Sequence, residues 1–339
     1  MLRLYHADCV TAATTTPALD PADEALPTAQ SIRSATWVDL YGPTEAQRAA
    51  VEVALDIELP TREEMTEIEA SSRVYRDGAA QVMNILLVVG VDQGTPAEAA
   101  ISFILTPNQL ITLRYADHRA FRSLESSCAR SGPGTDPLLL LVRLLDYVVD
   151  RTADILELMG AEIDSLGTLI FGRGQQATLR ISNADLHAIL QRIGKVQFVL
   201  NKVHDSLVTL LRATSFLAIG SSEAGTAQGR PGRLQRETLK SITRDIQSLS
   251  ENSNYMTQNV FFLLDAAMGR ISIEQNAIIK IFSVAAVVFL PPTLVASIYG
   301  MNFVHMPELE WIYGYPFAII LMILSAVLPY LFFKHKRWL

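Results

Sequence analysis

Two long stretches near the C-terminus carry no charged side chain, and they limit what this chain can fold into more than any other feature. Residues 281–299 and 312–333 contain no Asp, Glu, Lys or Arg. Each is close to the roughly 20 apolar residues that cross a hydrocarbon core of about 30 Å. The first 280 residues alternate charged and apolar side chains in the globular way. The sequence therefore predicts a soluble domain followed by two transmembrane helices.

The positive charges around these stretches predict their orientation. Arg270 and Lys280 precede the first stretch, and Lys334, Lys336 and Arg337 follow the second, whereas residues 300–311 between them contain no Lys or Arg. Because basic residues stay on the cytoplasmic side, we expect both termini in the cytoplasm and the connecting loop outside. The first ten residues lack the apolar run of a signal peptide.

The charge balance and the cysteine count exclude some classes of protein. The net charge is −7, and residues 1–280 carry −8 of it, which argues against nucleic-acid binding. The acidic surface serves either solubility or the binding of divalent cations between subunits. Cys9 and Cys128 are too few for a disulfide framework or a cysteine metal site, as is typical of a reducing compartment.

Residues 1–135 have the pattern of an α/β domain. We predict one strand near the N-terminus, helices over 43–55 and 60–70, and strands over 36–40, 72–77, 80–89, 99–106 and 109–115. The last two strands are separated by Pro107 and Asn108, as in a hairpin.

The chain from residue 137 onward predicts long helices. Apolar residues recur at a spacing of three and four over 137–170 and 177–218, and the glycine-rich segment 220–232 predicts a flexible turn. No proline interrupts 234–290, which predicts one helix of roughly 85 Å at about 1.5 Å per residue. One apolar stripe, with Ser253 as its polar member, predicts packing along that helix: Leu239, Ile242, Ile246, Leu249, Met256, Val260, Leu263 and Ala267.

Two spans per chain cannot enclose a polar path, so a channel would need several chains. Stepping back from Thr293 by three and four gives a face of small, polar and apolar residues without charge inside the bilayer: Leu290, Ala286, Ser283, Ile279, Asn276, Ser272, Gly269 and, below the bilayer, Asp265. Either this face lines a pore, or Ser283 and Thr293 bond their own helix backbone and face a neighbour. Pro291 and Pro292 remove two backbone donors, which favours a pore because water or protein must satisfy the freed carbonyls.

The segment after the first span resembles a known family. The string YGMNF at 299–303, followed by MPELEW at 306–311, is similar to the CorA magnesium transport family, as are EQNAIIKIF at 274–282 and FLPPTLVAS at 289–297. The resemblance implies an α/β cytoplasmic domain, a long helical stalk and two C-terminal transmembrane helices in a funnel-shaped homopentamer of the bacterial inner membrane. The corresponding boundaries are 1–135 for the α/β domain, 136–233 for the helical region, 234–299 for the stalk and first span, 300–311 for the periplasmic loop, 312–333 for the second span and 334–339 for a basic tail.

The same resemblance implies roles for individual residues. Gly300, Met301 and Asn302 would form a selectivity filter in which asparagine amides contact the water shell of Mg²⁺, an ion that loses water reluctantly. Thr293, Asn276 and Asp265 would be later polar stations, and Leu290, Ile279 and Phe282 hydrophobic constrictions; Asp265 is equally compatible with a solvated position.

Carboxylates outside the pore have two interpretations each. Glu308 and Glu310 either attract cations to the outer mouth or stabilise the loop. The resemblance also implies closure by cytoplasmic Mg²⁺, for which Glu63, Glu64, Glu67 and Glu69 are candidate ligands; the alternative is a solvated helix. Mg²⁺ would be both cargo and regulator, with Co²⁺ or Ni²⁺ as further cargo, and no organic cofactor is implied.

Two other functions remain open at this stage. A zinc transporter of the same superfamily is one, although the six histidines are scattered along the chain. A membrane-tethered scaffold that binds a partner is the other. We expect no enzyme, because the sequence has no nucleophile elbow, zinc-protease motif or Walker lysine.

Overall fold

A computed structural model describes residues 1–7, 26–67, 69–172, 183–223, 233–301 and 311–336. The chain forms two compact units. The first comprises Met1–Arg180 and His187–Leu263, and the second comprises Ile181–Leu186 and Leu264–Leu339.

A six-stranded mixed sheet organises the first unit. Its strands are β1 (Leu2–Tyr5), β2 (Trp37–Tyr41), β3 (Val74–Asp77), β4 (Ala80–Val89), β5 (Ala97–Leu105) and β6 (Leu110–Arg114). The order across the sheet is β1-β2-β6-β5-β4-β3. Only the β2–β6 pair is parallel among the described strands, with Trp37 opposite Leu110, and β5 and β6 form the predicted hairpin.

Nine α-helices accompany the sheet in the described parts of the chain. They are α1 (Ala29–Ser34), α2 (Glu45–Leu55), α3 (Arg62–Thr66), α4 (Ala70–Arg73), α5 (Arg119–Ser131), α6 (Pro137–Phe171), α7 (Asn183–Glu223), α8 (Arg233–Tyr299) and α9 (Gly314–His335). Local signals fix several starts: Thr44 and Gln47 form a capping box at α2, and Asp136 caps α6 just before Pro137.

Apolar side chains cover both faces of the sheet. On one face, Val38, Val82 and Ile104 belong to a buried cluster with Val51 of α2 and Met65 of α3. On the other, Phe121 of α5 stacks on Phe103 with ring centroids 6.2 Å apart. The sheet is thus an inner layer between helices, as expected for an α/β domain.

Two of the predicted elements differ from the structure. The single helix predicted over 60–70 is wrong: α3 ends at Thr66, and Glu67 has an extended backbone with ψ 140°. A continued helix would place Glu63 and Glu67 four residues apart, where like charges repel. The turn predicted over 220–232 begins later, because α7 continues to Glu223; residues 224–232 lie outside the described part.

The predicted stripe of α8 is confirmed. Leu239, Ile242, Ile246, Ser253, Val260, Leu263 and Ala267 are buried, while Leu249 and Met256 are partly buried. Glycines of α6 allow close approach: a Cβ added at Gly160 would lie 3.3 Å from Met256 Cε, and one at Gly167 would lie 3.8 Å from Leu263 Cδ2. The length of α8 is therefore supported by packing and not by helix propensity alone.

A buried ion pair ties β2 to β6. Arg114 donates to both carboxylate oxygens of Asp39, with Nε–Oδ1 3.0 Å and Nη2–Oδ2 2.8 Å. Thr112 Oγ1 donates to Asp39 Oδ1 at 2.8 Å. The guanidinium lies between the rings of Tyr41 and Phe121, 4.5 and 4.4 Å from their centroids. Both charges are thus paired and hydrogen-bonded, which is the condition for burying them.

The turn between β4 and β5 offers a matched pair of glycines. Gly90 and Gly94 both have φ +73°, but a Cβ at Gly90 would lie 2.3 Å from Thr95 O, whereas one at Gly94 meets nothing within 4 Å. We expect Gly94→Ala to lower the free energy of unfolding by about 1–2 kcal/mol, because alanine is strained at positive φ. Gly90→Ala should cost a further ~1–3 kcal/mol from the clash. Urea unfolding of the full chain checks this, and equal midpoints for the two variants would contradict it.

Candidate functional site

The candidate site is the membrane part of α8 together with α9. Both helices contain 18-residue windows long and apolar enough to cross a membrane, with mean hydropathy 2.2 and 2.3. None of the window in α8 is buried, and only 6% of that in α9 is. Helices this apolar would be buried if they formed the core of a soluble protein, so their exposure favours lipid or other chains as their surroundings.

Each helix has one less exposed stripe. On α8 this stripe contains Val284, Val288, Val295 and Tyr299. On α9 it begins with the buried Gly314 and Ala318 and continues through Met322, Ser325, Ala326 and Pro329. Small residues let helix backbones approach closely in membranes, so we interpret these stripes as the faces on which the two helices pack.

The predicted pore residues lie on the other side of α8. Ala286 and Leu290 are two positions from Val288 and hence about 200° around the helix. Ile279, Phe282 and Leu290 are 62%, 72% and 68% exposed, and Asp265, Asn276, Ser283, Ala286 and Thr293 are exposed as well. The structure therefore brings all eight candidates onto one uncovered side of the chain.

The hydroxyl of Thr293 bonds within its own helix. Its Oγ1 donates to Phe289 O at 2.7 Å, which is the backbone alternative considered for an isolated threonine. The bond uses the hydroxyl proton, so the oxygen can still accept on the exposed side. α8 continues through Pro291 and Pro292 to Tyr299, although neither proline can donate to the carbonyl four residues earlier.

The predicted filter is only partly within the described residues. Gly300 N donates to Ala296 O at 2.9 Å, and Met301 N donates to Ile298 O at 3.2 Å, which tightens the end of α8. A Cβ at Gly300 would lie 3.1 Å from Ala296 O, so this turn favours glycine. Asn302, Glu308 and Glu310 lie outside the described part.

The candidate regulatory carboxylates do not form a metal site in the single chain. Glu64 accepts from Thr61 N at 2.8 Å and so caps α3, while Glu63, Glu67 and Glu69 are exposed. Within the described residues, no three His, Cys, Asp or Glu side chains converge closely enough to hold a metal ion.

Sequence reasoning missed another group of acidic residues. Partial burial, and then the charges of Asp150 and Asp245, raise the pKa of the Asp146 carboxyl. The four-residue spacing of Asp146 and Asp150 was readable from the sequence. The approach of Asp245, from α8, was not.

Buried His118 is expected to make the soluble domain less stable in acid. It caps α5 by accepting from Ala120 N at 3.2 Å, and burial together with the Arg151 charge lowers the pKa of His118 from 6.5 to about 4. Between pH 4 and pH 6.5 His118 is therefore protonated in the unfolded chain but neutral in the folded one. The free energy of unfolding should therefore be unaffected by His118 above pH 6.5, and it should fall by up to about 3 kcal/mol as the pH is lowered towards 4.

Unfolding measured between pH 7 and 4 tests this. His118→Asn, which keeps a capping side chain, should flatten the profile in this window. A wild-type slope that survives in His118→Asn would contradict the assignment.

The chain is similar to known proteins along most of its length. The family model described as CorA-like Mg²⁺ transporter protein matches residues 33–335. The magnesium transport protein CorA of Salmonella typhimurium is 38% identical over 315 residues, which cover 91% of this chain and 94% of that protein. The protein of the same name from Escherichia coli K12 gives the same values.

Solved structures share the fold at low identity. The complete structure of the CorA magnesium transporter from Methanocaldococcus jannaschii matches with a TM-score of 0.74 and 17% identity, covering 100% of this chain and 99% of that one. The full-length CmaX protein gives 0.66 and 14%, with coverage of 99% and 97%. The ZntB cytoplasmic domain from Vibrio parahaemolyticus gives 0.52 and 12%, covering 80% of this chain and 97% of that one.

Proposed function

The chain belongs to the family of CorA-like Mg²⁺ transporter proteins, and from this premise we propose that it is a homopentameric channel through which hydrated Mg²⁺ enters the cell. The observation that carries the proposal is the exposed face of α8 that contains the predicted pore residues. It has no charged side chain between Ile281 and Tyr299, so a ring of such faces gives a neutral path. A single chain cannot enclose that path, which is why assembly is part of the proposal.

The proposed filter recognises the ion with its water shell. Mg²⁺ demands octahedral geometry and dehydrates slowly, so a filter of amide oxygens that accept from coordinated water suits it. Asn302 supplies the amides in this proposal, and the turn at Gly300 and Met301 presents them.

Below the filter, hydrophobic side chains act as the gate. Leu290, Phe282 and Ile279 are large, apolar and exposed on the proposed pore face. Rings of such side chains close a narrow pore by excluding water. Asn276 and Asp265 follow at the cytoplasmic end as polar stations.

The driving force is the membrane potential. A divalent ion that moves inward across about 100 mV, inside negative, gains roughly 4.6 kcal/mol. Arg270, Lys280, Lys334 and Lys336 support an orientation with both termini in the cytoplasm of an inner membrane. Transport then needs no coupled chemical reaction and no organic cofactor.

Cytoplasmic Mg²⁺ closes the channel in this proposal. The −8 charge of residues 1–280 and the mutual repulsion around Asp146 would be relieved by divalent cations held between subunits. Glu63, Glu64, Glu67 and Glu69 remain candidates only as part of such shared sites.

Flux measurements on reconstituted vesicles test the proposal. Purified protein in liposomes should admit Mg²⁺, measured with an entrapped indicator, when an inside-negative potential is imposed, and less when Mg²⁺ is preloaded inside. Co²⁺ and Ni²⁺ should also pass, since both form octahedral hydrates. Flux of Zn²⁺ without flux of Mg²⁺ would favour the zinc alternative. The absence of any metal flux, with or without an imposed potential, would favour the scaffold.

A further inference from the structure

A groove rich in arginine lies on the soluble unit, far along the chain from the pore residues. It is a shallow depression open to solvent, with a volume of about 640 Å³, and is lined by Asp92, Arg119, Arg122, Ser123, Ser126, Arg130 and Tyr147. We call it the arginine groove. Its size falls within the roughly 300–1,000 Å³ of small-molecule sites.

The arginine groove is positively charged, whereas the chain as a whole is negatively charged. Three guanidinium groups and one carboxylate line it, whereas the chain as a whole has a net charge of −7. Like charges repel, so three arginines on one face of α5 raise the local positive potential unless something compensates them.

The one carboxylate that lines the groove is already paired with another arginine. Asp92 Oδ1 lies 2.7 Å from Arg151 Nη2, and this hydrogen bond lowers the pKa of Asp92. Arg122 Nε reaches Asp117 Oδ2 only at 3.5 Å, with both side chains largely exposed. Arg119 and Arg130 form no ion pair with any residue that the structure describes. The positive charge therefore remains available to a ligand.

The spacing of the donors indicates an extended anion. Arg119, Arg122 and Arg130 lie along α5 at intervals of three and eight residues, or about 4.5 and 12 Å of helix. Ser123 and Ser126 add hydroxyl groups between them, and Arg119 is in the first turn, where the helix dipole favours negative charge. The phenol of Tyr147 on α6 forms an aromatic wall.

We propose that the arginine groove binds a small anion with two or more phosphate groups, such as a nucleoside triphosphate. Guanidinium groups match phosphate oxygens in paired hydrogen bonds, and a chain of phosphates offers several such acceptors to a row of arginines. A single sulfate or chloride ion would contact one end at most.

Binding to the full chain in detergent tests this. Calorimetric titration in metal-free buffer would compare adenosine triphosphate with inorganic triphosphate for the wild type and for an Arg119→Gln/Arg130→Gln double variant. Both substitutions are at exposed positions, so the variant should fold. We expect the double variant to bind at least about tenfold more weakly, since a hydrogen bond to a charged group contributes about that factor or more.

The matched control is Arg244→Gln, which removes one exposed positive charge from α8 and should change the affinity by less than about twofold. A nucleotide is supported as the ligand if adenosine triphosphate binds more tightly than inorganic triphosphate and Tyr147→Leu reduces this difference. Equal binding of the two would support recognition of the phosphate chain alone. The proposal is overturned if wild type and double variant bind alike. It is equally overturned if the double variant loses its oligomeric state while its affinity is unchanged, because the groove would then contact a second copy of the chain.

Discussion

Replacing Asn302 with alanine is expected to abolish Mg²⁺ uptake while leaving the protein assembled in the membrane. In the proposed mechanism each chain contributes one amide to the contact with the ion's water shell. Alanine removes those acceptors from every chain at once. The filter would lose several hydrogen bonds to the hydrated ion, each contributing about 1.5–3 kcal/mol. Uptake should therefore fall by more than about a hundredfold.

Potential-driven uptake into liposomes measures this effect. Asn254→Ala is the matched control, since Asn254 is an exposed residue of α8 in the soluble unit and lies outside the proposed path. Its flux should equal that of the wild type. Size-exclusion chromatography must show the same oligomer for all three proteins. Normal flux through an assembled Asn302→Ala channel would remove the asparagine filter from the mechanism.

Removing the carboxylate of Asp39 is expected to give the largest loss of stability in the soluble domain. Arg114 has a side chain only 3% exposed, and that of Asp39 is fully buried. Asp39→Ala would leave the buried guanidinium without its hydrogen-bonded partner, because the two remaining nearby acids, Glu125 Oε1 at 3.6 Å and Asp117 Oδ1 at 3.7 Å, lie beyond hydrogen-bond distance. Breaking such a pair costs about 3–5 kcal/mol.

A double variant separates the cost of an unpaired charge from the value of the pair. In Asp39→Leu/Arg114→Met both charges are absent, and methionine can still pack between Tyr41 and Phe121. We expect this double variant to be several kcal/mol more stable than Asp39→Ala. Asp77→Ala, at the exposed end of β3, should be neutral within about 0.5 kcal/mol.

Chemical unfolding of the full chain, monitored by near-ultraviolet circular dichroism of the buried Trp37, provides the measurement. Trp37 is suited to it because its Nε1 donates to Thr112 Oγ1 at 3.0 Å, beside the ion pair. Equal stabilities of Asp39→Ala and the double variant would mean that the unpaired charge is not what destabilises the domain.

The features predicted correctly from the sequence are those that depend on neighbours along the chain. The two charge-free stretches identify α9 and the apolar end of α8 because crossing a membrane requires only length and apolarity. Strand β4 covers 80–89 as predicted, since all its residues except Gln81 and Asn84 are apolar. The stripe from Leu239 to Ala267 followed from a helical period of 3.6 residues.

The tertiary structure decided what depends on residues distant in sequence. The sequence around Asp39 does not predict its ion pair with Arg114, 75 residues later. Nor does the sequence around Asp92 predict that it lines one groove with three arginines of α5. The periodicity of the first span gave one candidate pore face, but only packing reveals which side of α8 is left uncovered. Hydropathy and helical period are properties of a short segment, whereas strand order, ion pairing and grooves arise when separate segments share one core.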